Sequence, residues 1–165
     1  RFYQDKDRWS FPLQIFFLNK RFEMYKDSKQ YSMSIMDRSI VEDRIFAKLL
    51  RDRGDLQEKE YDIYVNLFNN MMEHVNPPNL MVYLRIQPEN VIERIKKRGR
   101  EYELTQSIDY WYDLNNNYEV FFNEYTWSKL LIINVDNMDF VNNKEDEKYI
   151  LNLIEDNVSV PQTVS

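Results

Sequence analysis

The sequence predicts an α/β protein built around a parallel sheet, and three observations support this class. Short apolar runs of strand length alternate along the chain with longer segments in which apolar residues recur at helical intervals. Two of these runs, LMVYLRI at 80–86 and LLIINV at 130–135, are mostly apolar, which is typical of buried parallel strands. Prolines and glycines stand near the junctions between segments, as they do at the ends of helices and strands.

The first half of the chain predicts three helices and one strand. Apolar residues at helical spacing predict a helix over 7–26, in which Pro12 fits only near the start. The run YSMSIM at 31–36 alternates and then turns apolar, which predicts a short strand. A helix over 41–50 ends at the Arg-Gly-Asp sequence that follows it, and an apolar stripe predicts a longer helix over 58–74.

The second half begins with a strand over 80–86 and a helix that starts at Pro88. Proline is favoured in the first turn of a helix, and Gly99 stands just past the expected end at Lys97. The remaining expected elements are a helix over 106–125, a strand over 130–135, a helix over 147–154 and a frayed tail over 158–165. The acidic and asparagine-rich stretch 139–149 is expected to be mostly solvated loop.

The composition excludes several classes of protein. The 165 residues include 28 acidic and 22 basic side chains, and the net charge of −6 argues against a broad nucleic-acid surface. No apolar run approaches the length of a transmembrane helix, which argues against a membrane protein. The absence of cysteine excludes disulfides and leaves the compartment undetermined, and the single histidine, His74, excludes a multi-histidine metal site within the chain.

The glycine content excludes a phosphate-binding loop of the Walker A type in this sequence. Such a loop needs two glycines five positions apart followed by Lys and Ser or Thr, and the chain has only Gly54 and Gly99. The chain opens with Arg1 and has no initiator methionine. We therefore expect it to be an excised segment.

Three groups of polar residues are candidates for chemistry. Asp37-Arg38-Ser39 follows a predicted strand, where open α/β sheets bind ligands, although the same triplet could simply begin the next helix. A buried arginine there needs a counter-anion, which favours function.

The second group is a set of arginines at the end of the predicted 88–97 helix. Arg94 and Arg98 share one helix face and Arg100 follows the glycine, so three guanidinium groups could bind a polyphosphate. The alternative is ordinary C-terminal capping by cations and a glycine.

The third group is Gln14 and Arg21, which lie two turns apart on one helix face with Leu18 between them. An amide and a guanidinium on an apolar stripe could read the polar edge of a base. The alternative is a polar edge on a partly exposed helix.

Taken together, these segments resemble the deoxyribonucleoside kinase family. The resemblance runs from Tyr3 to about Phe140, through FYQDKDRWSFPLQ at 2–14, DRSIVEDRIFA at 37–47, YLRIQPENVIERIKKRGREYE at 83–103 and NVDNMDF at 134–140. It implies the P-loop, thymidylate-kinase-like three-layer α/β/α fold with a parallel sheet, and a kinase domain over 1–157. The family's P-loop and its acidic general base have no match here and are expected upstream of Arg1.

The resemblance also implies roles for residues of the acceptor site. Tyr3 and Glu103 match the pair that holds the deoxyribose 3′-hydroxyl, and Gln14 matches the glutamine that hydrogen-bonds the base. Arg21 and Asp43 match a pair found in members that accept purine deoxynucleosides or deoxycytidine.

Further matches concern the phosphates. Arg38 matches the arginine near the 5′-hydroxyl, and Asp37 matches the acidic residue beside it. The lid arginines that close on the ATP phosphates are matched by Arg94, Arg98 and Arg100. Asp139 and Phe140 match the loop that borders the adenine of ATP.

The implied activity is phosphorylation of the 5′-hydroxyl of deoxyribonucleosides by ATP with Mg²⁺, in nucleotide salvage. Purine deoxynucleosides are the expected acceptors, with deoxycytidine as an alternative acceptor and a non-catalytic nucleotide-binding remnant as an alternative function. The resemblance further implies a cytoplasmic homodimer, with a mitochondrial location left open. The segment alone is expected to be inactive. No metal ligand is assigned within the chain.

Overall fold

In the computed structural model of the chain, residues 5–158 are described, apart from the side chain of Tyr102. Tyr3 and the tail residues 159–165 therefore lie outside the described residues. The chain forms two compact units, Arg1–Asn76 and Pro77–Ser165, which are called the first and the second unit below.

The first unit contains three helices that pack against one another: α1 (Lys6–Ser28), α2 (Asp43–Asp52) and α3 (Glu58–Met72). The side chain of Asp5 caps α1 by accepting a hydrogen bond from the Arg8 backbone N–H. Pro12 lies inside α1 and continues it, at the cost of the one backbone donor that proline lacks. The buried face of α1 carries Ser10, Gln14 and Leu18, which recur at intervals of four residues.

The strand predicted over 31–36 is wrong, because these residues form bends and irregular backbone. A strand is stabilised by the ladder of a neighbouring strand, and no described residue pairs with this segment. Its alternate side chains are accordingly exposed, with Tyr31 at 69%, Met33 at 71% and Ile35 at 93%. The alternating pattern was therefore not sufficient to predict a paired strand.

The second unit contains a two-stranded parallel sheet of β1 (Met81–Arg85) and β2 (Leu130–Asn134). The register pairs Met81 with Leu130 and Arg85 with Asn134, and a further bond from the Val135 N–H to the Arg85 carbonyl (2.9 Å) extends the ladder. The chain between the strands forms α4 (Pro88–Arg98), α5 (Glu101–Leu104) and α6 (Ile108–Asn123), and α7 (Lys144–Asn157) follows β2.

One hydrophobic cluster of this unit lies between β2 and α7. Ile133, Val135 and Ile150 are buried, and Met138 and Phe140 of the chain that follows β2 pack against them. Among the described residues, no helix combines the length and the apolar character needed to cross a membrane.

Besides the absent 31–36 strand, two helices differ from the sequence expectation by more than two residues. Helix α5 has only four residues, too few to show a helical period. Helix α7 begins at Lys144 instead of 147, because the Asn143 side chain accepts a hydrogen bond from the Glu145 N–H (3.0 Å) and caps it there. The end of α4 agrees with expectation, since Gly99 adopts a left-handed conformation with φ of 72° and its N–H reaches the Ile95 carbonyl.

Candidate active site

A buried charged pair joins α1 and α2 in the first unit. The Arg21 Nε lies 3.7 Å from the Asp43 Oδ1, a distance at which the charges attract without a hydrogen bond. Asp43 is only 4% exposed. The Arg21 Nε and the Asp43 Oδ2 are both buried and have no hydrogen-bond partner among the described residues. The predicted face of α1 is also present, since Gln14 is 5% exposed two turns before Arg21.

Burial dominates the electrostatics of this pair. It raises the pKa of Asp43 from 3.8 to about 6, since removing a carboxylate from water penalises its charged form more than the Arg21 charge stabilises it. Burial likewise raises the pKa of the neighbouring Glu42, against the attraction of Arg38. For both carboxyls, the cost of burial therefore exceeds the stabilisation that the neighbouring arginines provide.

Arg38 adopts a strained backbone conformation, with φ of +68°. The left-handed region costs a non-glycine residue on the order of 1–2 kcal/mol, and such strain is often found at functional sites. Its guanidinium lies 3.6 Å from the Glu42 carboxylate and 4.7 Å from the centre of the Phe46 ring. Asp37 beside it is exposed.

Glu42 was not singled out by the sequence analysis, although its position offers a signal. It follows Arg38 by four residues, and Phe46 follows it by a further four, so the three positions can meet on one side of a helix start. In the structure, the Glu42 carboxylate and the Phe46 ring both lie close to the Arg38 guanidinium.

The candidate lid residues of the second unit converge on one carboxylate. The Arg98 Nη2 donates to the Glu103 Oε2 at 2.6 Å, and the Arg100 Nη1 lies 3.7 Å from the Glu103 Oε1. The Glu103 side chain is 11% exposed, whereas both arginine side chains are about half exposed. Two of the three arginines are thus held together at the end of α4 by the residue predicted to bind the 3′-hydroxyl.

Arg94 makes a different set of contacts. Its Nη2 donates to the carbonyls of Val135 (2.6 Å) and Met138 (2.7 Å), and its guanidinium lies 5.8 Å from the Phe140 ring centre. In this structure Arg94 holds backbone that follows β2, while its ring contact reaches the loop predicted to border adenine.

A groove of about 680 Å³ lies between α4 and the chain that follows β2. Its lining includes five of the residues discussed here: Arg94, Arg98, Asp136, Asp139 and Phe140. Hydrogen bonds from the side chain of Asn142 lower the pKa of Asp139, which also lies 3.9 Å from the Lys97 ammonium. The structure therefore brings the predicted adenine loop and two predicted lid arginines to one groove.

Asp136 is a second polar residue of this groove that the sequence analysis did not single out. Its Oδ1 accepts hydrogen bonds from the Gln87 backbone N–H (2.7 Å) and from the Asn90 Nδ2 (2.8 Å). These bonds lower its pKa, the Gln87 bond most strongly. Its position directly after a buried strand was the available signal.

Metal ligands are sparse in the part of the chain that the structure describes. Within residues 5–158, no group of three or more histidine, cysteine, aspartate or glutamate side chains could hold a metal ion.

The chain is similar in sequence to a family of known proteins. The family model for deoxynucleoside kinases matches residues 1–159. The deoxyadenosine/deoxycytidine kinase of Bacillus subtilis (strain 168) is 36% identical over 164 residues, which cover 97% of this chain and 74% of the relative. The deoxyguanosine kinase of Lactobacillus acidophilus is 34% identical over 164 residues, which cover 94% of this chain and 72% of the relative.

A solved structure agrees with the sequence comparison. The deoxyadenosine kinase from M. mycoides, with the products dCMP and a flexible dCDP bound, matches with a TM-score of 0.83 at 30% identity. The match covers 94% of this chain and 78% of that one.

The fold is therefore that of the P-loop kinases, and the class of protein is a kinase that transfers a phosphoryl group. The chain belongs to the deoxynucleoside kinase family. The family resemblance and the α/β fold class predicted from the sequence are thereby confirmed. The roles of the individual site residues stay predictions.

Proposed function

We propose that the protein transfers the γ-phosphate of ATP to the 5′-hydroxyl of a deoxyribonucleoside in nucleotide salvage, with deoxyadenosine and deoxyguanosine as the preferred acceptors. The observation that carries this proposal is the buried Arg21–Asp43 pair, in which the Arg21 Nε and the Asp43 Oδ2 have no hydrogen-bond partner among the described residues. Buried polar atoms are rarely left unpaired in folded proteins, so such a pair indicates a polar ligand or ordered water.

The acceptor base fits this pair and the buried Gln14 on chemical grounds. A purine presents adjacent donors and acceptors on its edge, and an amide side chain can both donate to and accept from such an edge. Arg21 supplies donors and Asp43 supplies an acceptor in the same buried environment. Thymidine fits less well, because its 5-methyl group would have to occupy the space that the charged pair fills.

The donor side of the reaction would lie in the second unit. We assign the adenine of ATP to the groove bordered by Arg94, Asp139 and Phe140, and the phosphates to Arg98 and Arg100. ATP would enter as its Mg²⁺ complex, in which the ion neutralises phosphate charge.

Phosphoryl transfer requires alignment of the hydroxyl with the γ-phosphate and positive charge where negative charge redistributes. We assign that charge to Arg38, Arg98 and Arg100, with Asp37 beside the reacting hydroxyl. Glu103 now holds Arg98 and Arg100. On binding, its carboxylate would exchange these arginines for the deoxyribose 3′-hydroxyl, which releases them toward phosphate.

Deoxycytidine is a second candidate acceptor, and the names of the relatives favour its inclusion. The Bacillus subtilis relative is a deoxyadenosine/deoxycytidine kinase, and the M. mycoides structure contains dCMP. Gln14, Arg21 and Asp43 are compatible with a cytosine edge as well.

The test is an assay of the full-length protein that contains this chain, with ATP, Mg²⁺ and each of the four deoxynucleosides. We expect kcat/KM for a purine deoxynucleoside to exceed that for thymidine at least tenfold, as one or two hydrogen bonds to charged groups would produce. A double variant, Arg21→Val with Asp43→Ala, should shift the preference toward thymidine. Lys20→Met, an exposed change on the same helix, is the control.

Two outcomes would contradict the proposal. Thymidine as the best acceptor of the wild-type protein would refute the role of the Arg21–Asp43 pair. Nucleotide binding without phosphoryl transfer to any of the four nucleosides would favour the non-catalytic alternative.

We further propose that residues 1–157 act as one kinase domain, that the enzyme is a homodimer, and that it works in the cytoplasm. The family model spans both units, which supports the first point. Exposed apolar side chains on α1 and α3, such as Phe16 and Ile63, both 55% exposed, support a contact with a second copy. Light scattering coupled to size-exclusion chromatography measures the oligomeric state.

A further inference from the structure

We propose that Asp136 is a positioning residue for ATP, because its carboxylate ties the loop that borders the adenine groove to the first turn of α4. This inference rests on the proposed assignment of ATP to that groove. The loop in question is residues 135–143, between β2 and α7, and is called the 135–143 loop below.

The first turn of α4 has no cap of its own. Gln87 occupies the N-cap position with extended backbone, and its side chain makes no capping hydrogen bond. Helix starts leave backbone N–H groups unpaired, and these are normally satisfied by a nearby side chain. The Asp136 Oδ1, which lies outside the helix, caps it by accepting a hydrogen bond from the Gln87 N–H at 2.7 Å.

Asn90, three residues after Gln87, completes the link. In a capping box this position reaches back to the N-cap backbone. The Asn90 Nδ2 instead donates to the Asp136 Oδ1 at 2.8 Å, so one carboxylate oxygen accepts two bonds from the same helix turn. A negative charge at a helix N-terminus also interacts favourably with the helix dipole.

Hydrogen bonds of the neighbouring loop residues fix the position of Asp136. Val135, immediately before it, makes the last ladder bond to the Arg85 carbonyl at 2.9 Å. The Asn134 Oδ1 accepts a hydrogen bond from the Asp136 N–H at 2.9 Å. Asp136 thus sits where the sheet ends and the loop begins.

Arg94 supplies a second attachment, one turn further along α4. By donating to the carbonyls of Val135 and Met138, its guanidinium closes the start of the loop against the helix. Met138 and Phe140 also pack against the core of the second unit. The helix that carries Arg98 and the loop that carries Asp139 and Phe140 are therefore held as one piece.

The functional consequence is preorganisation. A loop already held in its binding position loses less conformational freedom when a ligand arrives, and the affinity rises accordingly. Loss of the Asp136 attachment should weaken ATP binding without altering contacts to the acceptor base, whose predicted residues Gln14, Arg21 and Asp43 belong to the first unit.

The experiment compares Asp136→Ala with Asp136→Asn in the full-length protein that contains this chain. We expect the alanine variant to raise the KM for ATP on the order of tenfold, because it loses two hydrogen bonds to a charged group that hold the loop, with an unchanged KM for the deoxynucleoside. The asparagine variant keeps an acceptor oxygen and should stay within about threefold of the wild type.

Glu89→Ala is the matched control, because Glu89 is an exposed acid in the same first turn of α4. Its carboxylate accepts a hydrogen bond from the Tyr112 hydroxyl at 2.6 Å and takes no part in the hydrogen bonds that attach the 135–143 loop. It should leave the KM for ATP within about twofold.

Hydrogen exchange on the ligand-free protein and ATP binding by calorimetry make the result independent of turnover. The Met138 and Asn143 amides, bonded to the Val135 and Asp139 carbonyls, should exchange faster in Asp136→Ala and at the wild-type rate in Glu89→Ala. The inference is refuted if ATP affinity falls equally in Asp136→Ala and Glu89→Ala. It is also refuted if Asp136→Asn raises the KM for ATP as much as Asp136→Ala does. A wild-type protein that binds ATP through this loop without phosphorylating a nucleoside would refute only the proposed function.

Discussion

Replacement of Asp43 by asparagine should change how the stability of the protein depends on pH. Burial raises the pKa of Asp43 from 3.8 to about 6, so the folded state binds a proton in this window that the unfolded chain releases. The stabilisation from this proton is complete below pH 3.8 and is lost as pH rises through 6. The full difference corresponds to about 3 kcal/mol, of which about 2 kcal/mol falls between pH 4.5 and pH 7.

The asparagine variant removes this titration and leaves the remaining groups in place. The difference in unfolding free energy between variant and wild type should therefore move by about 2 kcal/mol in favour of the variant from pH 4.5 to pH 7. Any constant loss from leaving Arg21 without its partner adds equally at both pH values, since arginine stays charged throughout. Glu42 titrates in both proteins and cancels to first order.

Urea denaturation followed by tryptophan fluorescence measures this difference at each pH. Asp52→Asn on the same helix is a control for sign: although partial burial opposes it, hydrogen bonds from Lys48 and Arg51 lower the pKa of Asp52. The stability that Asp52 contributes is therefore present above pH 3.8 and is lost as pH falls below it. Its removal should leave the difference nearly constant between pH 4.5 and pH 7 and should cost less stability at lower pH, opposite in sign to Asp43. Parallel curves for wild type and Asp43→Asn would refute the claim that burial outweighs the attraction of Arg21.

Three further predictions concern the second unit. Arg98→Ala in the full-length protein should lower kcat on the order of tenfold, which is more than it weakens deoxynucleoside binding. Steady-state kinetics with the exposed Lys144→Ala as control measure both effects, and an unchanged kcat would mean that Arg98 only caps α4. Gly99→Ala should destabilise the protein by about 1 kcal/mol in urea denaturation, because φ is +72° and a Cβ there would meet nothing within 4 Å, so the cost is backbone strain alone. Ile133→Ala should cost about 2–5 kcal/mol of unfolding free energy by calorimetry, and a loss below 1 kcal/mol would mean that β2 is not part of the core.

Most helices were predictable because their sequence signals are local. The stripe of α1, the proline at the start of α4 and the glycine at its end each depend on residues within one or two turns. The segment 31–36 shows the limit of such signals. Its alternation predicts extended backbone, but a strand also requires a partner at the right distance, which no local pattern encodes.

For the candidate site, too, the sequence indicated some residues, whereas other contacts became visible only in the structure. The sequence alone indicated Gln14, Arg21 and the arginine cluster, because spacing places polar groups on a helix face or at a helix end. Arg38 was indicated by a strand over 31–36 that the structure does not contain. The sequence could not show that Arg94 would contact backbone carbonyls, since that depends on where the 135–143 loop passes over α4.

By itself, the sequence determined the α/β class and the chemical types of group available to the site, because these follow from periodicity, residue type and spacing along the chain. The family came from the resemblance of its motif segments, which the family model confirmed. Only the tertiary structure decided which groups meet. The Arg21–Asp43 pair, the hold of Glu103 on two arginines and the attachment of Asp136 to Gln87 depend on elements that pack together in three dimensions. Burial in that structure also raises the pKa of Asp43, because its carboxylate is removed from water.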